Sequence, residues 1–244
     1  MGEALVNSAV RVSALRKRYG KLLALQTVDL AVASGEAFGL VGANGAGKTT
    51  LIKCLLDLCA YEAGTIRIFG LPAAEPKSRR RLAYVPERFM PAHYLRCREF
   101  LEFLTRSFGE RYDAVRAQAI LSELELEPAV LERPVRSLSK GMTQKLGLAA
   151  AFLLARDLYV LDEPMSGLDP AARVAVKSVL RRLAAEGRTL FFTSHVLADV
   201  EELCSSIAVL EQGRVRWHGS PEGLRAKYGE ARLEQAFMRC IRGE

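Results

Sequence analysis

Apolar positions change their period several times along the chain, and each change predicts an element. Up to about Gly35 they alternate with polar ones and are rich in β-branched residues, as in Val10-Arg11-Val12 and Leu25-Gln26-Thr27-Val28-Asp29-Leu30. A period of two predicts antiparallel strands with one covered face. Ala37-Phe38-Gly39-Leu40-Val41 is an apolar strand, and Leu51-Ile52-Lys53-Cys54-Leu55-Leu56 has helical spacing. Ala63 to Gly70 reads as a short strand bounded by glycines, and Arg81-Leu82-Ala83-Tyr84-Val85-Pro86 as another stopped by proline. From about Leu95 to Ala155 apolar residues fall three and four apart, within Glu99 to Leu104 and from Tyr112 to Leu126, which predicts helices. Buried-strand runs return at Leu158 to Leu161 and Thr189 to Ser194, alternating with helices over Pro170 to Glu186 and Val196 to Cys204. Ile207 to Leu210 and Arg214 to Trp217 read as strands around a Gln212-Gly213 turn, and Ser220-Pro221-Glu222 caps a final helical tail. Strands and helices thus alternate on both sides of an all-helical insertion, the pattern of a parallel α/β core with an inserted helical subdomain.

Between the apolar strand and the first helix lies Gly42-Ala43-Asn44-Gly45-Ala46-Gly47-Lys48-Thr49-Thr50. In a strand–loop–helix context the G-x-x-x-x-G-K-[ST] spacing makes a phosphate cradle. Glycines let successive backbone N–H groups turn toward one phosphate, and the new helix adds unpaired donors and its positive dipole end. Lys48 reaches the β- and γ-phosphates, and the Thr49 hydroxyl takes a Mg²⁺ position. This stretch predicts nucleotide binding.

Composition narrows the setting. The 244 residues suffice for a full core in one large or two intimate domains. The longest apolar run, Leu146 to Ala155, is shorter than the ~18–20 residues of a membrane span, so a membrane role is expected to be peripheral. The N-terminus lacks the apolar core of a signal peptide, which points to a cytoplasmic setting. The net charge of +7 is spread over the chain, as expected of solvated faces more than of a nucleic-acid surface. The five cysteines, Cys54, Cys59, Cys97, Cys204 and Cys240, show neither C-x-x-C nor zinc spacing and read as reduced thiols. Mg²⁺ is the one metal expected.

A second chemical centre follows at Leu158-Tyr159-Val160-Leu161-Asp162-Glu163-Pro164, four apolar residues ending in two carboxylates. Ligands of parallel sheets bind beyond the carboxyl ends of the strands. Asp162 is placed there to bind Mg²⁺ through water, and Glu163 to orient or polarise an attacking water.

With these motifs in this order, the chain resembles the nucleotide-binding subunit of ABC transporters over nearly its whole length. The resemblance rests on the phosphate loop, Leu138-Ser139-Lys140-Gly141-Met142, Asp162-Glu163-Pro164, Ser166-Gly167-Leu168-Asp169 and Thr193-Ser194-His195. It implies a P-loop NTPase core with a mainly parallel sheet, an N-terminal antiparallel β-subdomain and an inserted α-helical subdomain. The expected division is 1–94 and 156–225 for the core with its β-subdomain, 95–155 for the helical subdomain, and 226–244 for a helical tail. It also implies ATP and Mg²⁺ as cofactors and a head-to-tail pair of ATPase subunits enclosing two ATP molecules. In that arrangement Ser139 and Gly141 serve the nucleotide of the other subunit, and Asp169 crosses the interface.

Two departures stand out. The family signature is usually Leu-Ser-Gly-Gly-Gln; here Lys140 and Met142 replace a glycine and the glutamine, which adds a cation close to bound phosphate. The family's glutamine after the Tyr84-Val85-Pro86 strand is Glu87, which either joins the metal shell with Thr49 and Asp162 or responds to a partner. His195 resembles the switch histidine that contacts the γ-phosphate, with a structural role as the other reading. Tyr19 occupies the place of an aromatic that stacks on adenine, unless its ring turns to the core. Pro86-Glu87 resembles the branch whose members work with separate membrane subunits, mostly as exporters. The apolar stretch from Arg88 to Leu95 would then line the groove for a permease helix, or fold onto the helical subdomain. The expected function is an ATPase subunit, peripheral on the inner membrane face, powering a transporter. A soluble ABC ATPase acting on ribosomes, nucleic acid or an assembly is the other class, and its usual tandem halves, long coiled coil or basic arm are not seen in this sequence.

Overall fold

The computed structural model describes residues 8–244; residues 1–7 of the expected core segment lie outside the described residues. Among the described residues, ten strands form two sheets. β1 (Ser8–Tyr19), β2 (Leu22–Ala33), β4 (Ala63–Ile68) and β5 (Leu71–Pro72) make an antiparallel sheet in the order β2-β1-β4-β5. β3 (Ala37–Val41), β6 (Leu82–Val85), β7 (Leu158–Leu161), β8 (Thr189–Ser194), β9 (Ser206–Glu211) and β10 (Arg214–Gly219) make a second sheet, ordered β10-β9-β3-β8-β7-β6. Its pairs are parallel except for the closing β9–β10 hairpin.

β3, β7 and β8 are buried at every position, as expected where both faces of a parallel sheet are covered. Their alternate side chains enter two different cores. Phe38, Leu40, Val160 and Phe191 face a cluster shared with β1, β2 and α1 (Lys48–Leu55). Val41, Tyr159, Leu161 and Phe192 face the other, built with α4 (Lys140–Leu153) and α5 (Pro170–Ala185). The period-two alternation within these apolar runs therefore sorts the sheet into its two layers.

The helical insertion consists of α2 (Cys97–Ser107), α3 (Ala114–Glu123) and α4. The helix expected from Tyr112 to Leu126 is shorter. Asp113 caps its start by accepting from Arg116 N, and Glu125 beyond its end takes a left-handed φ of 52°. α6 (Leu197–Leu203) returns the chain to β9. The chain ends in α7 (Pro221–Tyr228) and α8 (Leu233–Arg242), separated at Gly229 with φ 65°. The two-residue strand β5 was not expected, because nothing but its edge pairing to β4 distinguishes it from a turn. No helix among the described residues is long and apolar enough to cross a membrane.

Register decides where the chemistry gathers. Val41 pairs with Ser194, Leu161 with Phe192 and Val85 with Leu161, so β3, β8, β7 and β6 end together. The phosphate loop, His195, Asp162-Glu163 and Glu87 all follow those ends.

Candidate nucleotide site

A cleft of about 640 Å³ opens at this carboxyl edge, lined by the phosphate loop, Tyr19, Glu87, Asp162, Glu163 and His195. That volume suits a nucleotide-sized ligand. Its floor is the loop from Gly42 to Gly47. A Cβ on Gly42 would lie 2.3 Å from the backbone oxygen of Leu210, so only glycine lets the loop pack on β9. Gly47 has φ 111° and caps α1 with no side-chain hydrogen bond. The first N–H groups of α1 are thus left to an external acceptor, and α1 has no acidic residue in its first turn. Asn44 and Gly45 form the exposed tip, and Ala46 is buried with its backbone oxygen accepting from Gly213 N at 2.9 Å.

Lys48 is buried and donates from Nζ to the backbone oxygens of Gly42 at 2.7 Å and Ala43 at 3.3 Å. Its ammonium spans the mouth of the loop, where phosphate oxygens could replace those carbonyls. Thr49 and Thr50 lie on the same wall.

Across the cleft, one hydroxyl organises the carboxylates. Thr193 Oγ1 donates to Asp162 Oδ1 at 2.6 Å and accepts from Glu163 N at 2.8 Å. This uses both capacities of the hydroxyl, fixing Asp162 and the backbone of Glu163 together. Glu163 has φ 50°, a left-handed conformation that costs a non-glycine residue about 1–3 kcal/mol and is found at functional sites. That turn brings its Oε2 to 2.8 Å from His195 Nδ1. An ionised carboxylate only accepts, so Nδ1 carries the proton and Nε2 is left facing outward from the pair. Asp162 and Glu163 are both buried, while the His195 side chain is 59% exposed.

Glu87 is exposed on the cleft wall. Burial, with the neighbouring Asp162 and Glu87 carboxylates, pushes the Tyr84 phenol up to about 12. Negative charge therefore collects on this side, opposite the cationic loop, which suits a divalent cation between carboxylate and phosphate. Among the described residues no three His, Cys, Asp or Glu side chains form a metal cluster of their own. Mg²⁺ takes one or two carboxylates and completes its shell with water and phosphate.

Tyr19 is 45% exposed and lines the cleft. Lys17 lies over its ring at 4.6 Å, and its hydroxyl meets Cys59 Sγ at 3.6 Å, which raises its pKa. Cys59 in turn touches the buried Cys54, whose thiol burial pushes up to about 12.

Three expected residues are not in this cleft. Ser139 is the N-cap of α4, its Oγ accepting from Met142 N at 3.2 Å, and Gly141 lies in that helix's first turn. Asp169 caps α5 by accepting from Ala172 N at 2.9 Å. Gly141 packs near Leu168 and Gly167, so these two segments form one surface apart from the chain's own phosphate loop.

Thr193 belongs to the Thr193-Ser194-His195 motif, but its bridging role has no signal in a single sequence, since it depends on the β7–β8 register. The Gln212-Gly213 turn closes the β9–β10 hairpin and does more than that. Gln26 N donates to Gly213 O at 2.7 Å, so the turn ties the antiparallel sheet to the phosphate loop. Part of the Arg88 to Leu95 stretch follows the second of its two readings. The Phe89 ring stacks edge-on to Phe100 at 5.8 Å and covers Gly147, folded onto the helical subdomain. Met90 and Tyr94 are 87% and 75% exposed.

The comparisons agree with this geometry. The ABC transporter family pattern matches residues 25–166. An ABC transporter ATP-binding protein of Synechocystis sp. is 39% identical over 204 residues, covering 82% of this chain but 57% of its own length. The chain therefore spans little more than half of that relative. Daunorubicin resistance ATP-binding protein DrrA2 of Streptomyces coeruleorubidus is 38% identical over 230 residues, 93% of this chain and 71% of the relative. Nod factor export ATP-binding protein I of Burkholderia orbicola is 40% identical over 216 residues, 86% and 70% of the two chains. Among solved structures, the ATP-binding subunit of an ABC transporter matches with a TM-score of 0.86 at 32% identity, covering 96% of this chain and 99% of that one. A dimeric cassette in a post-hydrolysis state with ADP and Pi shares the fold, with a TM-score of 0.79 at 22% identity over 86% of this chain and 98% of its own. With the phosphate loop, the paired carboxylates and His195 on one cleft, the chain belongs to the ABC transporter family as one of its ATP-binding proteins.

Proposed function

We propose that this chain is the ATP-hydrolysing subunit of a membrane exporter, working as one half of a head-to-tail pair of cassettes. The observation that carries the reading is the cleft itself, with an uncapped helix N-terminus and Lys48 on one side and Asp162, Glu163 and His195 on the other. Lys48 and the N–H groups of Gly45 to Thr50 hold the phosphates, and Tyr19 offers its uncovered ring face to the base. Thr49 and Asp162 would hold Mg²⁺, with Glu87 beside them; bound there, the ion neutralises charge on the β- and γ-phosphates. Glu163 orients a water in line with the γ-phosphate and takes its proton, and His195, fixed through Nδ1, turns Nε2 to the same phosphate.

Ser139, Gly141 and Asp169 complete the partner's site across the interface. ATP binding closes the pair, and hydrolysis opens it. We assign the coupling movement to residues 95–155, with Phe89 transmitting it from Glu87 to α2 and α4. The setting is the cytoplasmic face of the cell membrane, reached through the permease partner. Relatives named for drug resistance and Nod factor export favour export over a soluble role on ribosomes, nucleic acid or an assembly. Substrate choice belongs to the membrane subunits.

The permease contact is assigned to exposed Met90 and Tyr94. A Met90→Asp/Tyr94→Asp double variant is expected to lose co-purification with its permease from detergent-solubilised membranes. Its melting temperature and detergent-free ATPase rate should match the parent. Undiminished recovery with the permease would place docking elsewhere, and recovery with ribosomes in place of a membrane protein would favour the soluble role.

A further inference from the structure

We propose that Cys54 and Cys59 are a reversible oxidation site, closing to a disulfide within one chain when a small disulfide of the glutathione class reaches them, and that closure weakens ATP binding by unseating Tyr19. The disulfide stands on the geometry of the two thiols alone. Its effect on ATP rests on the reading above in which the Tyr19 ring meets the base.

The two sulfurs meet because of how α1 ends. Cys54 lies in its last turn, buried in the core shared with β1 and β2. Leu58 N then donates to Lys53 O at 2.8 Å and Asp57 N to Cys54 O at 3.1 Å, with Asp57 at φ 58°. Such a pair of bonds around a left-handed residue ends a helix by folding the chain back over its last turn. It returns Cys59 to Cys54, Sγ to Sγ at 3.5 Å. That is contact distance; a disulfide needs about 2 Å, a further approach of about 1.5 Å. Asp57, Leu58 and Ala60 are exposed, so the Cys59 segment can make that movement while α1 stays packed. Cys59 is half-buried, whereas the other four cysteines are buried. It is the thiol that an oxidant meets first.

Exposure sets the order of the steps. The Cys59 thiolate attacks one sulfur of the small disulfide, whose S–S bond breaks, and the departing thiolate takes up a proton. Cys54, out of reach from outside, loses its proton and attacks Cys59 Sγ, expelling the second small thiol. The two cysteines give up two electrons, and the small disulfide gains them as two thiols. Burial and the neighbouring Cys59 thiol push the Cys54 thiol up to about 12, which the Lys17 ammonium opposes. The second step is therefore slow, helped by the contact between the sulfurs. Closure acts on Tyr19, whose hydroxyl meets Cys59 Sγ at 3.6 Å and has the Thr50 side chain as the other group beside it. A sulfur drawn toward Cys54 leaves that hydroxyl, and the ring at the cleft wall is held on one side only. Base binding weakens, while Lys48 and the first N–H groups of α1 keep their places around the phosphates.

The experiment treats the full-length chain with glutathione disulfide or with reduced glutathione. Thiols are mapped by alkylation and mass spectrometry, and affinities are measured where the chain is monomeric. Oxidation is expected to give a Cys54–Cys59 disulfide within one chain, reversed by dithiothreitol. ATP affinity should fall by about 2- to 10-fold, the range of one neutral hydrogen bond, and tripolyphosphate affinity should not change. Cys59→Ser, treated alike, should form no such disulfide and lose no ATP affinity. A chain that stays reduced, stops at a mixed disulfide on Cys59 or links to a second chain overturns the site. An equal loss of tripolyphosphate affinity overturns the route through Tyr19, by making the effect structural. Where the disulfide forms and ATP affinity holds, Tyr19→Ala in the reduced chain separates the two causes. If Tyr19→Ala weakens ATP binding, the base reading stands and the coupling is overturned. If it does not, the base reading fails and takes the coupling with it.

Discussion

Glu163→Gln is expected to lower ATP turnover by about 10²- to 10⁴-fold while leaving ATP affinity nearly unchanged, the range typical of losing a positioned general base. The side chain is buried and hydrogen-bonded to His195 Nδ1 at 2.8 Å, on a backbone turned to φ 50° and anchored through Thr193. Glutamine is close to isosteric and fits this frame, so neither fold nor cleft should change. Its amide cannot take a proton from water, and its NH₂ would compete with Nδ1–H for the same role in the pair. ATP then persists in the site, and the ATP-bound pair should accumulate. Single-turnover hydrolysis separates binding from chemistry. A normal single-turnover rate would remove Glu163 from the reaction.

Lys48→Ala should act at the earlier step, weakening ATP binding by about 10- to 100-fold and leaving turnover close to background. In the structure Nζ bonds the carbonyls of Gly42 and Ala43 at 2.7 and 3.3 Å. Those contacts hold the ammonium at the loop mouth before nucleotide arrives. Alanine removes the cation facing the β- and γ-phosphates and frees two carbonyl oxygens that point toward incoming anions. The uncapped N–H groups of α1 remain, so residual binding is expected to survive and to be relatively insensitive to the number of phosphates. Titration calorimetry with ATP and ADP reads both effects. ATP affinity within about twofold of the parent would contradict the role given to Lys48.

How much of this was legible in the sequence follows from the range of each interaction. The strand–loop–helix of the phosphate cradle is local, so composition and spacing suffice to find it. β3, β7 and β8 were likewise visible as apolar runs, because burial on both faces leaves no polar position to blur them. Their order in the sheet was not, since β3 pairs with β8 and β9, far along the chain. The bridge from Thr193 to Asp162 and Glu163 was hidden for the same reason. Phe89 and Met90 are adjacent and similarly apolar, yet one is folded onto Gly147 and the other is exposed. A loop without a period gives no means of telling them apart. The break at Gly229 between α7 and α8 gives little signal of its own, because helical spacing continues on either side of it.

The central claim is that one chain holds half of each catalytic site, since Ser139 and Gly141 lie on a surface separate from the chain's own phosphate loop. The direct measurement is ATPase rate per chain at saturating Mg²⁺-ATP, followed as the protein is diluted through the dissociation range of the pair. The rate per chain should fall with dilution and recover on reconcentration. A rate per chain that stays constant through that range would show that a single chain carries a complete site, and would contradict the account.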